Sequence, residues 1–120
     1  MTKFVILSRM GAGLCALTIV VLSVVPMRPH ILGNDYLEHF IAYFVTASLL
    51  ALGYPHPMHL LSSGVLLAIG AGLLEFVQLW IPSRTGNFDG FASSAVGAWM
   101  GLLFTVVVRR LLSTSLSSYR

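Results

Sequence analysis

Long apolar stretches separated by short polar ones make up most of this chain. A helix that crosses a bilayer needs about 17–25 mostly apolar residues, and four segments have this character. They run from Met10 to Val25, from Tyr36 to Leu52, from Leu60 to Ile81 and from Phe91 to Val108. The connections are short and contain proline or glycine, as tight turns require. The pattern predicts an all-α, polytopic membrane protein in which residues 1–120 form one bundle of four transmembrane helices.

The composition supports this prediction. Of the 120 residues, 57% are hydrophobic and 9% are charged, whereas about 25% of a soluble domain is charged. A domain of this size keeps much of its surface exposed, so it cannot enclose so many apolar side chains in its own core. We therefore expect the apolar surface to face a lipid bilayer.

The basic residues predict the orientation of the bundle. Four helices place both termini on one side, together with Lys3, Arg9, Arg109, Arg110 and Arg120, whereas the other side carries Arg28 and Arg84. Lysine and arginine are enriched in cytoplasmic segments, so both termini are expected in the cytoplasm. No basic run is long enough to indicate nucleic-acid binding. No cleavage site follows the first apolar segment, which we expect to remain as an uncleaved helix.

All four acidic residues of the chain fall toward the predicted outer side. They are Asp35, Glu38, Glu75 and Asp89. Glu75 lies about 9 Å along its helix from Ile81, at a depth where a charge is costly, by about 2.5–3.5 kcal/mol at a helix centre. It therefore calls for a partner, a water-filled pocket or neutralisation by a proton, and the available partners are Arg84, His39 and Tyr43. Glu38 lies on a different face and is interpreted as a solvated interfacial charge, and His56 and His59 are interpreted as polar turn residues at the other end.

Helical spacing places several of these side chains on common faces. Asp35, His39 and Tyr43 follow one another every four residues on the second helix, and Gln78 lies one turn beyond Glu75 on the third. Rows of small residues, which let membrane helices approach closely, are present on two helices. They are Gly64, Ala68 and Gly72 on the third helix, and Ser93, Gly97 and Gly101 after Asp89 on the fourth. We expect Gly72 and Gly97 to be close-contact positions and Ala51 to tolerate a larger side chain.

Two motifs resemble those of the VanZ-like family of small bacterial membrane proteins. The first is "DYLEHFIAYF", with Asp35, His39 and Tyr43, and the second is "EFVQLWIPSR", with Glu75, Gln78 and Arg84. A loop aspartate, Asp89, and a glycine-rich last helix follow. The resemblance covers about residues 35–101. It implies a multi-pass protein of the bacterial cytoplasmic (inner) membrane, active in the cell envelope and linked to glycopeptide (teicoplanin) antibiotic resistance.

Three functions stay open at this point. The first is binding of a lipid-linked cell-wall or polysaccharide intermediate, or another headgroup-bearing lipid, in an outward-facing polar pocket where Arg84 holds a phosphate or carboxylate. The second is an enzyme acting on such a lipid, with Glu75 and His39 as acid–base residues and Asp89 orienting them. The third is a structural subunit with a membrane protein partner, in which Glu75, Arg84 and Asp89 only join helices. The predicted ligand-binding residues are Asp35, His39, Tyr43, Glu75, Gln78, Arg84 and Asp89.

No cofactor is expected. His39, Glu75 and Asp89 offer nitrogen and oxygen ligands, but no cysteine pair or H-E-x-x-H spacing accompanies them. We therefore predict no metal site.

Overall fold

The chain forms four helices connected by short loops. The structure is a computed structural model that describes residues 2–26 and 31–119. The helices are α1 (Lys3–Val24), α2 (Asp35–Gly53), α3 (Pro57–Gln78) and α4 (Phe88–Ser118). By length and composition each of them can cross a membrane, and the described ranges contain no strand. The predicted all-α class and four-helix membrane bundle are confirmed, while Arg28 and Arg120 lie outside the described residues.

Polar side chains define where the helices begin. Asn34 caps α2 by accepting a hydrogen bond from Leu37 N at 3.0 Å, and Asn87 caps α4 by accepting one from Gly90 N at 2.7 Å. Such caps satisfy backbone donors that have no partner within the helix. α4 continues ten residues beyond Val108. Its 31 residues span about 46 Å, longer than the roughly 30 Å hydrocarbon core of a bilayer, so the helix is long enough for its last turns to extend past a membrane.

Helix α2 lies at the centre of the bundle. It packs against α1, α3 and α4, whereas α1 and α4 make no contact over their described lengths. The buried core consists mainly of small side chains, which allow this close packing. Its members are Tyr43, Ala47, Ala51, Ala71, Ala98 and Leu102.

The closest approach is between α2 and α4. A Cβ atom added at Gly97 would overlap the carbonyl oxygen of Phe40, and one at Gly101 would overlap the carbonyl oxygen of Phe44. Backbone carbonyls cannot move aside as a flexible side chain can, so glycine is required at both positions. Gly97 and Gly101, in the row of small residues predicted on α4, therefore lie at a true helix–helix contact.

Two expectations about packing were wrong. Ala51 is only 1% exposed and belongs to the core, because the central helix is enclosed as far as its last turn. It is therefore a poor site for a larger side chain. A Cβ atom at Gly72 would meet the Phe91 ring at 3.5 Å, which is an ordinary van der Waals contact rather than a close approach.

At the end that carries both termini, two arginines satisfy the last carbonyls of α2. Arg9 Nε donates to Gly53 O at 2.8 Å, and its guanidinium lies 4.1 Å from the centre of the Tyr54 ring. Arg109 donates to Ala51 O at 3.5 Å. Cations near a helix C-terminus are favourable because the carbonyl ends carry partial negative charge. This end of the bundle is thus cationic, and Arg9 and Arg109 are engaged in hydrogen bonds to the end of α2.

Candidate functional site

The opposite end of the bundle contains the residues that the sequence singled out. There the loop after α3 folds back onto the end of α1. Arg84 Nε donates to Val25 O at 2.8 Å, its Nη2 donates to Leu22 O, and Gln78 Nε2 donates to Ser23 O at 3.1 Å. These carbonyls have no partner within α1, because a helix leaves its last four acceptors unsatisfied. Arg84 and Gln78 therefore fix the end of α1 against α3.

Glu75 connects α3 to two other elements. Its carboxylate is buried, with 8% of the residue exposed. Oε1 lies 3.4 Å from His39 Nε2 on α2, and Oε2 accepts a hydrogen bond from Asn87 N at 3.0 Å, directly before α4. Of the three partners considered from the sequence, His39 makes the direct contact. In the described part of the chain, Glu75 makes no ion pair with Arg84.

The first turn of α4 lies directly against this carboxylate. A Cβ atom at Gly90 would lie 2.6 Å from Glu75 Oε1, a distance that real Cβ contacts do not show. Glycine at this position is therefore what lets the start of α4 approach the acid. A negative group beside a helix N-terminus is also favourable, since the N–H groups there carry partial positive charge.

His39 is oriented by its own helix. Its Nδ1 lies 2.8 Å from the carbonyl oxygen of Asp35 and 4.0 Å from the Asp35 carboxylate oxygen Oδ2. Asp35 and His39 thus interact at the spacing of four residues that the sequence indicated, but through the backbone carbonyl rather than through a close carboxylate contact. The ring is held so that Nε2 faces Glu75.

A groove runs between α1 and α2 beside this pair. Its volume is about 400 Å³, within the range of about 300–1,000 Å³ typical of ligand pockets. Its apolar walls include Leu14, Ile19 and Leu22 from α1, and Ile41, Ala42 and Val45 from α2. Its polar lining includes Glu38, His39, Gln78 and Arg84, with Tyr43, Thr46 and Cys15 deeper along the helices. Six of the seven predicted ligand-binding residues therefore line this groove or contact a residue that does; they are Asp35, His39, Tyr43, Glu75, Gln78 and Arg84.

Asp89 does not belong to this cluster. It is exposed in the first turn of α4 and has no hydrogen bond or ion pair within residues 2–26 and 31–119. Asn87 explains this placement: its side chain caps the helix and its backbone N–H binds Glu75, so Asp89, two residues later, points to solvent. It is Asn87 that contacts the Glu75 carboxylate, so Asp89 is not placed to orient it.

Glu38 also differs from its sequence interpretation as a solvated charge. Its Oε1 accepts hydrogen bonds from Ile31 N at 2.7 Å and Leu32 N at 2.8 Å. The loop before α2 folds over the start of that helix and brings these donors to the carboxylate. Glu38 therefore shapes the polar end of the groove instead of simply facing water.

Two residues of this site were missed in the sequence, Asn87 and Gly90. An asparagine immediately before an apolar segment is a helix N-cap signal, and Asn87 stands in that position. The contacts of Asn87 and Gly90 with Glu75 depend on the fold of the loop, so the sequence did not predict them.

No three ligating side chains come together as a metal site anywhere in the described ranges.

Comparison of the chain with protein-family models, curated proteins and solved structures finds no match. The groove and the polar cluster are the features of this chain that bear on its function.

Proposed function

We propose that this chain is a VanZ-like protein of the bacterial cell envelope that binds a lipid, with the hydrocarbon tail between α1 and α2 and the headgroup at the polar end. The observation that carries this proposal is the groove itself. It combines apolar walls along two helices with Arg84, Gln78, His39 and Glu38 at one end.

The dimensions and position of the groove suit a lipid tail. From Glu38 to Thr46 it follows α2 for about 12 Å. Three of its apolar wall residues are well exposed on the surface of the bundle: Leu14 at 66%, Ile41 at 42% and Val45 at 43%. In a bilayer this surface faces hydrocarbon, so a lipid can enter sideways without crossing a polar barrier.

The polar end suits an anionic headgroup. A guanidinium binds phosphate or carboxylate through charge-assisted hydrogen bonds. Arg84 is already held by its bonds to Val25 and Leu22, and a side chain fixed in advance loses less entropy on binding. Gln78 and His39 add neutral or cationic donors beside it. The headgroup chemistry is therefore that of a phosphate with polar substituents.

The proposed orientation places this end on the outer face. Lys3, Arg9, Arg109 and Arg110 lie at the other end of the bundle, and such an excess favours the cytoplasm. A lipid-linked cell-wall or polysaccharide intermediate, exposed on the outer leaflet of the cytoplasmic membrane, fits this position. It also provides a route to the glycopeptide-resistance phenotype that the family resemblance implies.

A second candidate function is an enzyme acting on the same lipid. The observation that favours it is the His39–Glu75 contact beside the groove, because such a pair can exchange a proton with a substrate. The binding function ranks first because the groove and its polar end support it directly, whereas catalysis would also need a reactive group next to the pair. Cys15 lines the groove, but from α1.

The single cysteine provides the test. Cys15 lines the groove, so a bound tail should shield it from an apolar maleimide in nanodiscs. We expect undecaprenyl phosphate to slow its alkylation, with undecaprenol much less effective because it lacks the phosphate. The matched control is Gly13→Cys in a Cys15→Ser background, since nothing lies within 4 Å of a Cβ atom at that position.

Three outcomes separate the candidates. Equal alkylation rates with and without undecaprenyl phosphate would remove the lipid-binding function. Protection that survives Arg84→Gln unchanged would remove the headgroup assignment. Mass spectrometry of the recovered lipid decides between binding and catalysis, because an enzyme returns a changed lipid and a binding protein returns the same one.

A further inference from the structure

The hydrogen bonds around His39 and Glu75 limit where hydrogens can lie between the two side chains. His39 Nδ1 lies 2.8 Å from the Asp35 carbonyl oxygen, which can only accept, so Nδ1 carries a hydrogen. Glu75 Oε2 accepts the Asn87 backbone N–H. Only the hydrogen between His39 Nε2 and Glu75 Oε1, 3.4 Å apart, is left open by these bonds. Two lone pairs facing each other there would repel.

We propose that His39 and Glu75 form a one-proton site, in which Nε2 and Oε1 share a single proton in the resting protein. Two arrangements satisfy every bond: an imidazolium donating to a carboxylate, and a neutral imidazole accepting from a carboxylic acid. Both have no net charge. That suits side chains that are only 16% and 10% exposed, because an uncompensated charge in such surroundings is costly.

Both neighbouring protonation states break a contact. Loss of the proton leaves the Nε2 lone pair facing a carboxylate oxygen, so α2 and α3 repel at this point. A second proton has to be placed on Oε2, where the Asn87 N–H already donates. The pair therefore stabilises the bundle most in the pH range where it holds one proton. Stability is lost as the pH rises and removes that proton, and also as the pH falls and adds another.

Other ionisable groups surround the pair. They are Asp35, Glu38 and Tyr43 from α2, Cys15 from α1, Arg84 from the loop after α3, and the exposed Asp89 from α4. The Asp35 carboxylate lies 4.0 Å from Nδ1. Because the carboxylates, Tyr43 and Cys15 can also change their charge with pH, the assignment needs a variant that removes only the shared proton.

A consequence for the ligand rests on the proposed lipid-binding function. His39 lines the groove where the headgroup is placed. Removing the shared proton adds one negative charge beside that headgroup, which weakens the attraction for an anion. Binding of a phosphate-bearing lipid is then linked to the proton, and affinity is lost as the pH rises through the deprotonation of the pair.

Labelled amino acids read the two residues separately. The chain contains only two glutamates, so Glu38→Gln leaves Glu75 as the one isotope-labelled carboxyl group in an infrared spectrum. Nitrogen NMR of labelled histidine, with His39→Gln identifying the signal among four histidines, reports the ring. We expect an ionised Glu75 with a cationic His39, or a protonated Glu75 with a neutral His39. An ionised Glu75 with a neutral His39, or a protonated Glu75 with a cationic His39, would overturn the proposal.

Glu75→Gln is the matched variant. Its amide oxygen can accept from Asn87 N, and its amide N–H can donate permanently to a neutral His39 Nε2. The parent should lose thermal stability between neutral and alkaline pH, and this variant should lose less. Identical pH curves for the two proteins would overturn the one-proton site.

A binding experiment compares the affinity of the parent and of Glu75→Gln for undecaprenyl phosphate across the same pH range. The affinity of the parent should fall at alkaline pH, whereas the affinity of Glu75→Gln, however weak at neutral pH, should not change with pH. If the parent binds this lipid equally at every pH, the proton linkage is wrong. If it binds no lipid at all, the proposed function fails, while the infrared and NMR spectra still decide whether the pair holds one proton.

Discussion

Replacing Glu75 by glutamine and by leucine separates the hydrogen-bond pattern of the site from its charge. Glutamine has nearly the same shape, and its amide can reproduce both contacts of the carboxylate, to His39 Nε2 and to Asn87 N. Leucine fills a similar volume and can reproduce neither. The difference between the two variants therefore measures what the polar contacts contribute.

The expected magnitudes follow from the partners left behind. Leucine leaves two partly buried polar atoms, His39 Nε2 and Asn87 N, without the partner they have now. An unsatisfied buried group costs about 1–3 kcal/mol, whereas a hydrogen bond between membrane helices averages about 0.6 kcal/mol. These two scales bracket a total loss of about 1–6 kcal/mol for Glu75→Leu. For Glu75→Gln we expect a change below about 1 kcal/mol, in either direction.

The assay is unfolding in detergent at neutral pH, combined with glycopeptide susceptibility in cells that carry each variant. One kcal/mol shifts Tm by roughly 3–6 °C in a chain of this size, so the two variants are distinguishable. We expect Glu75→Gln to melt with the parent and to lose the envelope phenotype, as is typical when a functional group is replaced without loss of fold.

Two results would refute this reasoning. If Glu75→Gln melts as low as Glu75→Leu, the charge itself holds the helices together and the hydrogen-bond account is wrong. If Glu75→Gln keeps the phenotype at normal protein levels, the carboxylate is structural and the site must be sought elsewhere in the groove.

Three further predictions follow from the fold. Gly97→Leu should lower stability by more than about 3 kcal/mol or prevent folding, because its side chain would enter the α2 backbone; Gly70→Leu, with nothing within 4 Å of the added Cβ atom, should melt like the parent. Arg84→Lys should cost about 1–2 kcal/mol and speed hydrogen exchange in the last turn of α1, since one ammonium cannot reproduce a forked pair of bonds; unchanged exchange would show that α1 is held by other contacts. In a cysteine-free background, Ser83→Cys should be labelled from outside intact cells and Ser117→Cys should be protected; the reverse pattern would place the groove on the cytoplasmic side.

The sequence alone determined the class of the protein and the number of its helices. Apolar segments of membrane-spanning length cannot be buried in a chain this small, so they must form transmembrane helices whatever their arrangement. Spacing along one helix was equally predictable: Asp35 and His39 meet because residues four apart lie on one face. The row of small residues at Gly97 and Gly101 likewise indicated a close helix contact before its partner was known.

The tertiary structure decided which partners these residues have. Arg84 was expected beside Glu75, yet its bonds go to Val25 and Leu22 at the end of α1. Glu75 is held by His39 and by the backbone of Asn87 instead. Loop conformation and helix order set these contacts, and neither follows from periodicity, because a helical repeat specifies a face and not the neighbour that covers it.

Helix α2 also shows what the sequence predicts and what only the tertiary structure decides. Its sequence predicts a helix from its apolar pattern, but nothing in that pattern indicates that three other helices will pack around it. That central position buries Ala51, which sequence reasoning took for a tolerant site, and it exposes the α1–α2 face that forms the groove. Local chemistry fixes each helix through interactions within a few residues, whereas burial depends on atoms that are distant in sequence and meet only in the folded bundle.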